Sequence, residues 1–362
     1  MSSENGSKRV LLAAGGTAGH IEPALAVAEA IKQIDSKVIC EFIGTRSGLE
    51  EVLVPKRGYR VNQIPKVVMP RKLSFDLLLF PFDALRSLIV ALRIVGGADL
   101  LVGFGGYVSA PSYIAAWLRR IPIVVHEANA RPGWANRLGR HMARIVAVNF
   151  PSMQSKWTGS IMTGMPIRDS IANLATLSGE ELERFRRLNS ESWGFDANLP
   201  IVAIFGGSQG SQHINSVVED YLPLKDSKIQ IIHAVGMNNK LPVARPGYLP
   251  LSYFHDMAAI YGSADLLITR SGAMTCAELM TMGRSAILVP LAHGNGEQIE
   301  NADQLAKMGL AKSVPNERFD AQWLAANLNS ALADVRLGSS KQSSIHLGAA
   351  RRLAQLALEE VA

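Results

Sequence analysis

The sequence predicts an α/β protein built from two doubly wound parallel-sheet domains, and three observations carry that prediction. Apolar runs of strand length alternate with helical stretches along the chain, the pattern of parallel strands joined by covering helices. Three of these runs end in a glycine pair followed by a hydroxyl residue: 10–14 before Gly15-Gly16-Thr17, 100–102 before Gly105-Gly106-Tyr107, and 201–205 before Gly206-Gly207-Ser208. The halves also echo each other, since Ala98-Asp99-Leu100-Leu101-Val102 returns as Ala264-Asp265-Leu266-Leu267-Ile268.

Taken in order, residues 1–8 form a polar tail, and the apolar run that follows is broken at Gly15, too short for a secretory signal or a membrane span. A cytosolic location is expected. Strands are predicted near 9–14, 37–43, 99–103, 121–126 and 144–149, then near 200–205, 228–234, 265–269 and 285–290. A helix is predicted over 23–33, with Pro23 in its first turn and Ala24, Val27, Ala28 and Ile31 on one face. The domain junction is expected at Gly164-Met165-Pro166, giving domains 1–164 and 165–344. Ser178 with Glu181 reads as a capping box opening a surface helix. A final helix near 348–361, after the Gly/Ser-rich stretch 338–344, is expected to carry 345–362 back to the first domain.

With 362 residues the chain is long enough for two cores. Its net charge of +6 suits a phosphorylated substrate, an anionic lipid surface or nucleic acid, but no basic run interleaved with aromatics supports the last. Cys40 and Cys276 have no paired spacing, so neither a disulfide framework nor a zinc knuckle is supported, and both read as buried thiols.

Glycine loops that lead into helices admit positive φ and present free N–H groups and a dipole end to an anion. Three such loops predict diphosphates held on both sides of a cleft between two domains. No Walker A pattern or Asp-x-Asp pair is present, so the charge of a leaving diphosphate falls to amides, dipoles and cations, and no metal or cofactor is expected. Arg168 and the Ser208 loop are candidates, although Arg168 reads equally as a solvated residue after a turn.

Four further clusters carry chemistry. In 270–278, Arg270-Ser271-Gly272-Ala273-Met274-Thr275-Cys276-Ala277-Glu278, a strand turns into a helix whose amides suit a diphosphate and whose Glu278 suits a ribose diol; Thr275 and Glu278 also have capping-box spacing, which spacing alone favours. The loop 290–298 brings His293, Asn295, Glu297 and Gln298, with Asn301 a turn later, as a set suited to sugar hydroxyls or as an ordinary loop. His20 follows the first glycine loop, where a helix dipole disfavours the imidazolium and leaves a base, or where the ring merely packs. His126-Glu127-Ala128-Asn129 ends another strand at the same edge, as ligand contacts or as a turn.

The stretch 75–95 is apolar through Leu77, Leu78, Leu79, Phe80, Phe82, Leu88, Ile89 and Leu92, but Asp76, Asp83, Arg86 and Arg93 interrupt it. With Lys66, Arg71 and Lys72 upstream it reads as a shallow membrane-insertion patch, or as a core helix under a sheet.

Taken together, these strings resemble the MurG family, the peptidoglycan N-acetylglucosaminyltransferases of the two-domain GT-B fold. The matching residues are Gly15-Gly16-Thr17-Ala18-Gly19-His20, Gly103 to Pro111, His126 to Asn129, Gly206 to Gly210, Arg270 to Glu278, and Gln298 with Asn301-Ala302, in the family's order over nearly the whole chain. The resemblance implies inverting transfer of GlcNAc from UDP-GlcNAc to the 4-hydroxyl of N-acetylmuramoyl-pentapeptide on undecaprenyl diphosphate, converting lipid I to lipid II at the cytoplasmic face of the membrane. It implies a donor site of Glu278 on the ribose, Ala273, Met274 and Thr275 at the diphosphate, Phe254 at the uracil, Glu297 and Gln298 on the GlcNAc, and Ser208 and Arg168 near the diphosphate. On the acceptor side it implies Thr17, Gly19, Gly105, Gly106, Tyr107, His126 and Asn129, with His20 as general base. It also implies an anionic inner-leaflet membrane and cell-wall synthesis or division proteins as partners, and no nucleic acid. Ala18, Ala128 and Met165 depart from the family's usual glycine, glutamine and asparagine.

Two rivals remain from the residues. A nicotinamide oxidoreductase would use Ala13-x-Gly15 with Glu41 on the ribose but leaves the Glu278 cluster idle. A non-catalytic nucleotide-sugar-binding protein, or a transferase of the same fold with another acceptor, would bind the donor without making lipid II.

Overall fold

The computed structural model describes residues 7–46, 48–67, 76–291, 295–337 and 342–361. The chain divides into two compact units, Met1–Arg168 with Ile345–Ala362, and Asp169–Ser344. The first unit contains β1 (Arg9–Ala13), α1 (Ala18–Ile34), β2 (Ile39–Gly44), α2 (Glu50–Lys56), β3 (Arg60–Gln63), α3 (Asp76–Val95), β4 (Leu100–Gly103), α4 (Ser109–Leu118), β5 (Ile123–Glu127), α5 (Trp134–Gly139), β6 (Ile145–Val148), α6 (Pro151–Lys156) and β7 (Ile161–Met162). Its strands form one parallel sheet in the order β3-β2-β1-β4-β5-β6-β7.

Alternation along the central strands explains why this sheet is covered on both faces. Val10, Leu12, Leu100 and Val102 point into a core with α1, whereas Leu11, Ala13, Leu101 and Val125 join Ala91, Val95, Tyr113 and Ala115 of α3 and α4 on the other face.

The second unit opens with α7 (Asp169–Leu174) and α8 (Gly179–Ser192), then runs through β8 (Ile201–Phe205), α9 (Gln212–Tyr221), β9 (Gln230–Ala234), β10 (Tyr248–Leu251), α10 (Met257–Ser263), β11 (Leu266–Thr269), α11 (Ala273–Met282), β12 (Ala286–Leu288), α12 (Glu297–Lys307), β13 (Ala311–Ser313) and α13 (Ala321–Leu337). Its sheet is also parallel, in the order β10-β9-β8-β11-β12-β13. The last helix, α14 (Ala349–Glu359), packs its Leu353, Ala354 and Ala357 into the α1 core of the first unit.

The sequence echo has a structural cause. The Asp99 carboxylate accepts from Arg9 N at 2.7 Å and the Asp265 carboxylate accepts from Ile201 N at 2.8 Å, so each aspartate fixes the start of the central strand beside it. Ser178 and Glu181 form the expected reciprocal cap of α8. One helix differs from expectation, because α1 starts at Ala18 and Pro23 lies inside it, beyond the first turn. Pro23 removes the bond to the Gly19 carbonyl, close enough to the helix start to be tolerated. The first unit runs to Arg168, past the expected junction at Gly164. Most of the 338–344 stretch lies outside the described residues.

In both sheets the strand order reverses at the centre, between β1 and β4 and between β8 and β11. That crevice, at the carboxyl ends of the strands, is where doubly wound sheets bind ligands. The loops after these four strands are Gly15-Gly16, Gly105-Gly106, Gly206-Gly207 and Arg270-Ser271-Gly272.

Candidate functional site

In the first unit the two glycine loops pack on each other. Gly16, Gly105 and Gly106 have φ of 93°, 93° and 85°. A Cβ on Gly106 would stand 2.3 Å from the Gly15 carbonyl oxygen, so glycine there permits direct backbone approach. Thr17 is the N-cap of α1 and Gly19 and His20 lie in its first turn. His20 Nδ1 lies 3.3 Å from both the Gly15 carbonyl oxygen and Thr17 Oγ1. The far side of the ring meets the second loop, where a Cβ on Gly105 would be 3.5 Å from Nε2. Tyr107 borders Gly16, and Lys66 Nζ lies 5.5 Å from the centre of its ring.

One amide of the first loop is not available to an anion. Gly16 N donates at 3.2 Å to Glu50 Oε2, an oxygen of a carboxylate wholly buried beneath the loop. The expectation that the glycine loop presents free N–H groups to an anion is therefore corrected at Gly16. Glu50 was missed because the bond that links it to the loop is tertiary; its one sequence signal is a carboxylate two residues after Gly48, beyond the end of a strand.

The tetrapeptide His126 to Asn129, which ends β5 and leads out of it, faces inward as much as outward. Glu127 is buried, and its carboxylate accepts from Asn129 N at 2.9 Å, Gly133 N at 3.2 Å and Asn136 Nδ2 at 3.0 Å. Burial pushes its carboxyl up against the opposing effect of these bonds. Asn136 also accepts from Tyr113 OH at 2.8 Å and approaches Gly105, so this network supports the second glycine loop from below. Asn129 remains at the edge, half-buried, with its backbone fixed by Glu127.

His126 is placed in the interior, with Nε2 3.0 Å from the Gly164 carbonyl, and burial lowers its imidazole to about 4. His346 lies on the same crossover, its Nδ1 accepting from Met165 N at 3.1 Å; burial first, then Arg352 and His126, lower it to about 3. Arg352 donates to the Thr163 carbonyl at 2.8 Å and to the carbonyls of Ile345 and Leu347. These residues clamp the outgoing and returning segments to the first unit.

In the second unit, α11 is capped by Gly272 without a side-chain bond, and Thr275 lies inside the helix. The capping-box reading of Thr275 and Glu278 is therefore set aside. The amides of Ala273, Met274 and Thr275 are the first of the helix, where no intrahelical acceptor exists. Glu278 is buried farther along α11. Arg270 ties this edge together: Nη1 donates to Val289 O at 2.9 Å and Asn316 Oδ1 at 2.8 Å, and Nη2 to Ser211 Oγ at 2.7 Å, behind the loop that carries Ser208. Ser271 Oγ donates to Gln298 O at 2.7 Å, Asn301 Nδ2 donates to Ser271 O at 3.1 Å, and Gln298 Oε1 accepts from Leu291 N at 3.1 Å. The starts of α11 and α12 thus form one polar edge, with Glu297 bonded to Asn295; His293 lies outside the described residues. Phe254 is buried edge-on against Phe205, the last residue of β8.

Arg168, expected at the donor diphosphate, belongs to the first unit and lies 3.6 Å from Glu22 of α1. Glu41, the ribose acceptor of the oxidoreductase reading, lies within β2 and is held by Arg9 at 2.7 Å and Asn62 at 2.9 Å. After burial, which opposes them, these bonds hold its carboxyl below the ordinary range. That removes it as a ribose ligand. Cys40 and Cys276 are both buried, and burial pushes the Cys40 thiol up to about 12.

Helix α3 divides between two environments. Ser87, Ala91 and Val95 face the core, while Phe82, Leu85 and Ile89 are exposed, as are Trp117 and Leu118 at the end of the adjacent α4. Arg86, Arg93, Arg119 and Arg120 are exposed around them. Arg71, Lys72 and the side chains of Leu77, Leu78 and Leu79 lie outside the described residues. Among the described residues no helix is long and apolar enough to cross a membrane.

Comparison with known proteins matches residues 10–148 to the glycosyltransferase family 28 N-terminal domain and residues 201–354 to the family 28 C-terminal domain. The chain is 45% identical over 331 residues to the UDP-N-acetylglucosamine–N-acetylmuramyl-(pentapeptide) pyrophosphoryl-undecaprenol N-acetylglucosamine transferase of Corynebacterium efficiens, covering 91% of this chain and 89% of that one. It is 44% identical to the protein of the same name from Streptomyces coelicolor, covering 90% and 89%. Among solved structures, Acinetobacter baumannii MurG superimposes with a TM-score of 0.72 at 26% identity, covering 97% of this chain and 99% of that one.

Proposed function

The chain belongs to the MurG family of glycosyltransferase family 28, and from that premise we propose how its own residues move GlcNAc from UDP-GlcNAc to the undecaprenyl-diphosphate-linked N-acetylmuramoyl-pentapeptide, lipid I, to make lipid II. The observation that carries the reading is the near-full-length identity to transferases of that name, combined with the position of the motif strings at the two sheet centres.

The second unit takes the donor. The first amides of α11, at Ala273, Met274 and Thr275, and the Ser208 loop receive the diphosphate; Glu278 accepts from the ribose; Phe254 lines the uracil; and Glu297 and Gln298 hold the GlcNAc hydroxyls. Arg168 is the candidate cation for the departing diphosphate. The first unit takes the acceptor, with Thr17, Gly19, Gly105, Gly106, Tyr107 and Asn129 around its sugar diphosphate and His126 holding the crossover from behind. His20 removes the proton from the 4-hydroxyl as that oxygen bonds to the anomeric carbon, and the electron pair of the breaking C–O bond leaves with UDP. Helix-terminal amides and cations stabilise the departing charge.

The exposed apolar residues of α3 and α4, ringed by arginines, dock the enzyme on the anionic cytoplasmic leaflet, where a polyprenyl substrate resides. Cell-wall synthesis or division proteins are its expected neighbours there.

The test is transfer of labelled GlcNAc to a lipid I analogue, scoring disaccharide-lipid and UDP together. Acceptor-dependent formation of both is expected, and donor binding without either product would overturn the reading. Glu278→Ala should weaken UDP-GlcNAc binding with the fold intact, because a ribose diol loses two hydrogen bonds to a charged acceptor, about 1.5–3 kcal/mol each. Unchanged donor affinity would remove Glu278 from the site.

A further inference from the structure

We infer that Glu50 is a positioning residue for His20, acting through the peptide between Gly15 and Gly16 to fix which imidazole nitrogen carries the proton. The inference rests on the reading of His20 as the base, and it concerns a carboxylate that never touches the ring.

Glu50 lies wholly buried at the start of α2, in a pocket made by absent side chains. A Cβ on Gly48 would fall 2.0 Å from its Oε2, one on Gly44 2.5 Å from its Cγ, and one on Gly15 3.1 Å from its Oε1. Oε1 accepts from Thr45 N at 2.8 Å and from Thr45 Oγ1 at 2.9 Å, and Oε2 accepts from Gly16 N at 3.2 Å. Every one of these partners is a donor, so both oxygens of the carboxyl group act as acceptors beneath the loop.

The next link is covalent. Gly16 N and the Gly15 carbonyl are the two ends of one planar peptide. The carbonyl end lies 3.3 Å from His20 Nδ1, and Thr17 Oγ1 lies at the same distance from that nitrogen. A carbonyl oxygen has no proton to give, whereas a threonine hydroxyl either gives or accepts. Only an Nδ1–H satisfies both neighbours. The lone pair then falls on Nε2, the nitrogen beside Gly105 in the second loop. By accepting from the amide end, Glu50 polarises the peptide and makes its oxygen a stronger acceptor, as in any hydrogen-bond chain at low dielectric. When Nε2 takes the acceptor hydroxyl proton, Nδ1–H stays in place and the cation formed faces a carbonyl backed by a buried carboxylate. The arrangement does through a peptide what a carboxylate does by direct contact in other imidazole bases.

The experiment is 15N NMR of the full-length protein labelled at histidine, with the His20 signals identified by their loss in His20→Gln, alongside steady-state kinetics. Wild type should show His20 with its proton on Nδ1. In Glu50→Gln, whose side-chain amide presents only one acceptor oxygen, the Nε2–H form should appear and kcat should fall about 10- to 100-fold, less than the about 10²- to 10⁴-fold attributable to general-base catalysis as a whole, with KM for UDP-GlcNAc unchanged. A wild-type ring protonated on Nε2 overturns the inference without any variant, so a Glu50→Gln protein that fails to fold leaves it open to refutation. A Glu50→Gln protein with a wild-type tautomer overturns it too, whatever its kcat. Normal turnover in His20→Gln instead overturns the base assignment, a distinct failure read from kinetics alone.

Discussion

The contact between the two glycine loops of the first unit makes a single methyl group decisive. In Gly106→Ala the new Cβ would sit 2.3 Å from the Gly15 carbonyl oxygen, about 1 Å short of the 3.4 Å at which ordinary contact begins. Neither side of this clash is the end of a flexible side chain, so one loop must move. The carbonyl that moves is the oxygen beside His20 Nδ1, so the ring it holds moves with it; on the proposal that His20 is the base, a displacement of about 1 Å lowers the rate by about 10²-fold. Positive φ adds a separate effect of about 1–2 kcal/mol for any residue with a Cβ. Gly58 isolates that effect, since its φ is 78° and a Cβ there meets nothing within 4 Å. Gly58→Ala should therefore lower stability modestly and leave kcat alone, whereas Gly106→Ala should lower kcat by about 10²-fold at saturating UDP-GlcNAc with donor affinity unchanged. Steady-state transfer to a lipid I analogue, calorimetric donor binding and thermal unfolding of both variants read the three quantities. A Gly106→Ala enzyme with wild-type kcat would refute the argument, because it would mean that the loops part without moving His20 or that His20 is not the base.

The remaining expectations concern stability and the membrane. Leu353→Ala, in the α14 face wholly buried against α1, should lower the unfolding free energy by about 2–5 kcal/mol; denaturant titration reads this, and a change below 1 kcal/mol would mean that α14 docks without contributing to the first unit's core. Replacing Phe82 and Leu85 together by Ser should lower partition onto anionic vesicles at least about tenfold, given about 1.5–3 kcal/mol per inserted side chain, and undiminished sedimentation with vesicles would assign α3 a purely structural role. Acid should destabilise the crossover clamp: a buried imidazole lowered to about 4 or about 3 folds neutral, so its contribution is whole above the unfolded value near 6.5 and is lost progressively as pH falls from there to the folded value, about 2 kcal/mol per group by pH 5. The fall in stability between pH 7.5 and 5 should be smaller in His346→Gln than in wild type, and equal falls would show that His346 accepts its proton without unfolding.

What the sequence reveals about the fold follows from how strongly each strand is buried. Every interior strand of both sheets is mainly apolar, because a parallel strand covered on two faces has no solvent side, and each was expected within a few residues of its place; polar exceptions such as Glu41 in β2, His126 and Glu127 in β5, and Gln230 and His233 in β9 are buried. The strands that went unread are β3, β7, β10 and β13, and these are the four sheet edges. Edge strands pair on one side and admit polar residues, so Arg60-Val61-Asn62-Gln63 and Ala311-Lys312-Ser313 carry little of the signal that marks a strand. The early start of α1 escaped for a local reason: Pro23 resembles a helix opening, and only the packing of the glycine loop reveals the turn before it.

The site divides along the same line between near and far. Glycine pairs, a histidine at a helix start and the Arg270–Glu278 string declare themselves because each is a local device, complete within one loop and one helical turn. The groups that aim those devices come from elsewhere in the chain: Glu50 reaches Gly16 from the turn after β2, Asn136 supports Gly105 from α5, and His346 meets Met165 from the far end of the sequence. Each was passed over because a buried carboxylate, amide or imidazole has meaning only once topology supplies its partner. Burial then makes that partner matter, since an unmatched polar group in the interior costs about 1–3 kcal/mol and selects one arrangement over its alternatives. For the first unit this means that the loop geometry at His20 is set less by the Gly-Gly-Thr string itself than by what lies under it, and that loops with the same string need not hold their histidine alike.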